Sequence, residues 1–132
     1  MNIYEQQPPV VSTTKTLRDY ITYFNLEARE LTQEEREANE IPDTIVDEQG
    51  NETPKEAWTA LTVTYRHEHP LTEDDYGKMV AAIVRSKYTA DDVEAILSNY
   101  AAEHRREYED EFNTFQAWRV VAKTAAREAL GE

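Results

Sequence analysis

The chain has 132 residues, 39% of them apolar, and a formal net charge of −13. That length suits one small domain with a modest core, and so acidic a surface is repelled by nucleic acid and anionic lipid, which argues against direct binding of either. There is no cysteine, so disulfides, thiolate metal sites and thiol nucleophiles are excluded.

Residues 1–14 read as an extended arm, disordered alone and ordered only against a neighbour. Pro8 and Pro9 forbid a helix there, and Val10, Val11, Ser12, Thr13 and Thr14 carry the β-branched bias of an edge strand. The first nine residues lack the basic and apolar regions of a signal peptide, and no apolar run is long enough to span a bilayer. The expectation is a soluble intracellular protein.

Residues 17–31 fit two patterns. Leu17, Tyr20, Ile21, Phe24, Ala28 and Leu31 share a helical face behind a Thr16/Asp19 capping box, while Tyr20, Thr22, Phe24 and Leu26 alternate as in a strand. Residues 58–66 favour the strand. There Leu61, Val63 and Tyr65 alternate with Thr62, Thr64 and Arg66, and a lone strand leaves its ladder unpaired. Residues 19–27 are the best antiparallel partner.

Between these segments lies an acidic tract, residues 27–56, with eleven Asp or Glu against Arg29, Arg36 and Lys55, a net of −8. A short helix after Thr32, capped by Glu35, is expected. Pro42, Gly50, Asn51 and Pro54 punctuate the rest, which reads as a long surface loop.

From residue 70 the spacing predicts three helices. Thr72 with Asp75 makes a capping box, and Tyr76, Met79, Val80, Ile83 and Val84 follow at helical spacing to about Lys87. Thr89 with Asp92 makes a second box, followed by Val93, Ile96, Leu97 and Tyr100. The third helix is expected from about Glu103 to Leu130, ended by Gly131. Its stripe of Tyr108, Phe112, Phe115, Ala122, Ala126 and Ala129, with Trp118 beside it, narrows from aromatic to alanine, and small residues permit close approach of another helix.

Few residues suggest chemistry. His67 and His69 lie at the end of a strand, about 6–7 Å apart, and a metal site there needs further ligands; the alternative is an exposed polar strand end. The pairs Asp74–Asp75 and Asp91–Asp92 diverge by about 100° on a helix, and helix capping already explains them. Glu109, Asp110 and Glu111 diverge in the same way. Three glycines make no phosphate-cradling loop, and no calcium-loop pattern is present. Gly77 sits in the first turns of a helix, at a cost of roughly 1 kcal/mol relative to alanine. Either it marks a close contact with a strand or partner chain, or it is tolerated drift. Arg119, Lys123 and Arg127 recur every four residues as a positive ridge, which is either a docking strip for an acidic partner or a solvated face suited to a helix C-terminus.

The run Asp75-Tyr76-Gly77-Lys78-Met79-Val80, continued by Ala81-Ala82-Ile83-Val84-Arg85-Ser86-Lys87-Tyr88, has a distinctive cadence. So do Asp91-Asp92-Val93-Glu94-Ala95-Ile96-Leu97-Ser98-Asn99-Tyr100, then Glu111-Phe112-Asn113, Gln116-Ala117-Trp118-Arg119 and Ala122-Lys123. Over residues 58–130 the chain resembles the C-terminal half of small uncharacterised proteins encoded in prophages of gut bacteria, often near virion structural genes. The resemblance implies a phage or mobile-element origin, with the bacterial cytoplasm or the virion as the place of action. It carries no activity and no functional residues.

The fold expected is α+β, a small antiparallel N-terminal sheet packed on a C-terminal three-helix block. Its core should draw on Phe24, Leu61, Val63, Tyr76, Val80, Ile83, Ile96, Leu97, Phe112, Phe115 and Trp118. The function expected is non-enzymatic, without cofactor or metal, through a protein partner or self-association, as an accessory or assembly factor. Gly77, Trp118, Arg119, Ala122, Lys123, Ala126 and Arg127 are the candidate contact residues. One alternative is an acidic nucleic-acid mimic that inhibits a host DNA-binding protein, supported if the acidic tract forms a rigid ridge. Another is a small metal-dependent enzyme using His67 and His69.

Overall fold

The computed structural model describes residues 2–132. The fold is α+β: strands β1 (Val11–Lys15), β2 (Tyr20–Glu30) and β5 (Trp58–His67) form an antiparallel sheet in the order β1-β2-β5. The strand pattern prevails over residues 20–30, where the run Ile21-Thr22-Tyr23-Phe24 has β propensity and β5 needs a ladder partner. Thr16 and Asp19 cap no helix and instead close the turn between β1 and β2. The Thr16 amide donates to the Asp19 carbonyl at 2.8 Å, and its hydroxyl to the Asp19 carboxylate at 2.5 Å. Leu17, which a helix would have turned inward, is fully exposed on that turn.

Contacts divide the chain into two compact units. One comprises the residues up to Val10 together with Phe24–Thr62, and the other Val11–Tyr23 together with Val63–Glu132. The divisions fall within β2 and within β5.

In the first unit the N-terminal arm is tied down. Tyr4 and Trp58 exchange backbone hydrogen bonds of 2.9 and 2.8 Å, the Tyr4 hydroxyl lies 2.7 Å from that of Thr62, and the Asn25 amide donates to the Pro9 carbonyl at 2.9 Å. The arm therefore folds back before β1, with Pro8 buried. The acidic tract contains α1 (Gln33–Ala38), which has the expected box: the Glu35 amide donates to the Thr32 hydroxyl at 3.2 Å and the Thr32 amide to the Glu35 carboxylate at 2.9 Å.

The stretch read as a long loop is a hairpin. Strands β3 (Thr44–Val46) and β4 (Glu52–Pro54) pair antiparallel, Ile45 opposite Thr53. The Asp47 carboxylate accepts the amides of Gln49 and Asn51 at 2.8 and 2.9 Å, and Gly50 takes the positive φ of 85° that the turn requires. Neither α1 nor the hairpin buries a side chain; the interior of this unit includes Phe24, Leu26, Leu31 and Ala57 beside Pro8, with the polar Asn25 and Thr59.

In the second unit the three-helix block forms as α2 (Tyr76–Arg85), α3 (Ala90–Ala102) and α4 (Arg106–Ala129). The Thr72 amide donates to the Asp75 carboxylate at 2.9 Å, but residues 73–75 form a single 3-10 turn before α2 begins. Thr89 and Asp92 complete a full box, with bonds of 2.9 and 3.1 Å. Helix α4 starts at Arg106, later than the spacing suggested, because Glu103 is extended and ends α3. It closes as a Schellman motif. Gly131, at φ 83°, donates to the Glu128 carbonyl, and Glu132 donates to that of Arg127, both at 3.0 Å.

Helix α4 packs on α2, α3 and β1. Met79 and Ile83 of α2, Ile96 of α3, and Phe115, Trp118, Ala122, Ala125 and Ala126 of α4 are buried, as is Val63 of β5. Tyr76, Val80 and Phe112, expected in the core, are half-buried, and so is Leu61 in the first unit. Leu97, also expected there, is 43% exposed. Adjacent helical residues diverge by about 100°, so with Ile96 turned to the interior Leu97 is carried to the surface.

Candidate interaction surface

His67 is buried at the end of β5, its ring stacked between Tyr20 and Tyr65 with centroids 5.5 and 5.4 Å away. Its Nδ1 lies 2.6 Å from the His69 carbonyl, which can only accept, so Nδ1 carries a proton. In the neutral ring Nε2 then accepts from the Thr22 hydroxyl at 2.8 Å, which in turn lies 2.9 Å from that of Thr13. Both ring nitrogens are thus engaged within the fold, whereas the His69 side chain is exposed. Among the described residues no three His, Asp or Glu side chains converge as metal ligands.

Beside this histidine the Tyr65 hydroxyl donates to the Asp75 carboxylate at 2.7 Å. Burial, with the carboxylate beside it, pushes the Tyr65 phenol up to about 12. Burial also raises Asp75, but hydrogen bonds from the Thr72 amide and the Tyr65 hydroxyl oppose it, and the carboxyl lies below its ordinary range. The arrangement clasps the end of β5 to the start of α2.

The alanine end of α4 faces inward. Trp118, Ala122 and Ala126 are buried, and the Trp118 indole donates to the Ile83 carbonyl of α2 at 3.1 Å. Helix α2 of the same chain packs on α4 here, and Trp118, Ala122 and Ala126, expected as contact residues, lie inside the fold. The basic ridge divides as well. Arg127 bonds to Glu73 at 2.6 Å and Glu132 at 2.8 Å and lies 4.0 Å from the Tyr76 ring centroid; the two carboxylates raise its pKa. Lys123 is exposed beside Thr124 in a shallow depression. Arg119 stands apart, donating to Gln116 at 3.1 Å and lying over Phe115.

Arg119 and Gly77 meet in one place, a surface cleft of about 490 Å³ on the helical block. Helix α2 lines it with Gly77, Val80, Ala81, Val84 and Arg85, and α3 with Ala90, Val93 and Leu97; Tyr88, Phe115 and Arg119 complete it. A Cβ built on Gly77 meets nothing within 4 Å, so no neighbour within the chain requires this glycine. The lining contains no carboxylate. Of the seven candidate contact residues, only Gly77 and Arg119 reach this surface.

Leu97, Val84 and Arg85 belong to it without having been singled out as contact residues. The signal was present: Val93 and Leu97 lie one turn apart and form a second apolar line beside Ile96, more than one buried face of α3 accommodates. No family model, no curated protein and no solved structure matches this chain. No helix among the described residues is long and apolar enough to cross a membrane.

Proposed function

We propose that this protein is a non-enzymatic interaction factor, an accessory or assembly component of a phage or mobile element, which docks a protein partner on the cleft of its helical block. One observation carries the reading. An apolar cleft with an exposed leucine and two arginines lies open on the surface, while the histidine that looked chemically promising is engaged in internal hydrogen bonds. Exposed apolar patches rimmed by polar groups mark interaction sites. The prophage resemblance supports the biological setting.

A photo-crosslinking residue placed at position 97, with the same residue at exposed position 46 as control, tests this in cells carrying the element. Crosslinking of one discrete protein from position 97 and not from 46 supports the reading. Equal or absent crosslinking at both positions removes it.

The second reading, an acidic nucleic-acid mimic, has one observation in its favour: residues 32–54 fold into a capped helix and a hairpin. Helix α1 has only six residues, under two turns, which is short for a row of duplex-spaced charges. Salt-sensitive binding to a DNA-binding protein, lost on neutralising Glu34, Glu37 and Glu40 and indifferent to Leu97→Asp, would favour this reading over the first.

A further inference from the structure

The cleft has the opposite charge character from the protein that bears it. The whole chain has 27 acidic against 14 basic side chains, yet the lining carries Arg85 and Arg119 and no Asp or Glu. Among the described residues, neither arginine has a carboxylate partner within ion-pair distance. Two unneutralised guanidiniums beside an apolar surface fit a partner that brings both aliphatic side chains and carboxylates.

The shape restricts the form of that partner. Helices and the short connection at Tyr88 make the lining, with no strand edge in it, so a segment lying there finds no backbone ladder to join. A helix, which satisfies its own N–H and C=O groups, suits a surface that offers no such ladder. Gly77 and Ala81, one turn apart on α2, present almost no side chain and allow a backbone close approach, and Leu97 and Val84 offer the larger apolar contacts.

Building on the docking role just proposed, we infer that the occupant is an acidic amphipathic helix of another protein. Its apolar side chains, spaced i, i+3 or i+4, and i+7, lie against Val84 and Leu97, and its flanking carboxylates meet Arg85 and Arg119. The arginines fix orientation and select an acidic partner that the rest of the surface repels.

The test uses the full-length protein, labelled with ¹⁵N, and two synthetic amphipathic peptides of about 14 residues, long enough for about four turns. Both carry leucines at helical spacing; one has glutamate flanks and the other lysine flanks. The net charge of −13 favours the lysine peptide through general attraction, so a preference for the glutamate peptide has to come from a local basic site, which the positions of the shifts locate. The expected result is shifts confined to the amides around Gly77, Val84, Val93 and Leu97, with the glutamate peptide bound about tenfold more tightly.

Arg85→Glu should invert that order, and Leu97→Asp should abolish binding of both peptides while the spectrum stays dispersed. Equal or tighter binding of the lysine peptide in the cleft overturns the acidic-helix assignment and leaves the docking reading intact. Shifts at the same residues that grow with protein concentration alone make the occupant a second copy and also overturn it. No shift in the cleft with either peptide overturns both.

Discussion

Helices α1 and α3 begin in the same way. In each a threonine hydroxyl accepts the amide three residues on, and a carboxylate from that residue returns to the threonine amide. Yet α1 runs for six residues and buries none, whereas α3 runs for thirteen and buries Ile96 within the helical block. Helices α1 and α4 also end alike: Glu40 and Gly131 both take a positive φ, and the following residue donates back into the last turn. Capping chemistry therefore sets where a helix starts and stops, and burial decides whether it lasts.

The acidic excursion is held instead by polar contacts. Arg36 donates to the carbonyls of Pro42 and Lys55 at 3.2 and 2.7 Å, and Arg29 grips both oxygens of Glu35 at 2.6 and 3.0 Å. Exposed ion pairs of this kind stabilise little. The excursion should open locally while the helical block remains folded.

The largest effect should come from the block. Ile83→Ala removes a side chain with no exposure at all and should cost about 2–5 kcal/mol in chemical denaturation. Val46→Ala on the hairpin, 61% exposed, should stay within about 0.5 kcal/mol. Comparable losses for the two would end the contrast.

Next in size, Thr89→Ala should cost about 1 kcal/mol of global stability through loss of the α3 cap. The matching Thr32→Ala should leave the global midpoint unchanged and speed amide exchange only around α1.

The Glu35 carboxyl is lowered from 4.5 to about 2, first by Arg29 and then by the Thr32 amide. A depressed carboxyl stabilises fully above its ordinary value and loses that contribution as pH falls toward its folded value. Helix α1 should therefore loosen between about pH 4.5 and 2. Carbon NMR of the Glu35 carboxyl should show the low titration, and Arg29→Ala should return it toward the ordinary range. An unmoved value in Arg29→Ala would refute the ion pair.

The smallest effect is a gain. Glu40→Gly relieves a φ of 58° and should raise stability by about 0.5 kcal/mol or sharpen the end of α1.

Much of the fold was legible because capping and alternation are local signals. Thr32, Thr89 and Gly131 marked helix ends correctly, and the alternation of residues 58–66 both located β5 and settled the ambiguity of residues 17–31. The β3–β4 hairpin was missed because its three-residue strands expose every side chain and leave no buried period to read, although Gly50 and Asn51 did mark a turn.

The candidate surface was less legible. Periodicity shows that α3 has apolar residues at 93, 96 and 97 but not which of two adjacent residues faces inward; the position of α4 decides that. The alanine stripe was recognised as a place for close helix packing, but its partner was within the chain.

Leu97→Asp, measured for thermal unfolding and for partner capture on the same preparation, tests the docking role of the cleft most directly. Because Leu97 is 43% exposed, the melting temperature should hold within a few degrees of the parent while the crosslinked or captured partner disappears. A variant that melts like the parent and still captures the partner at the parent level would contradict the assignment of this cleft as the contact surface.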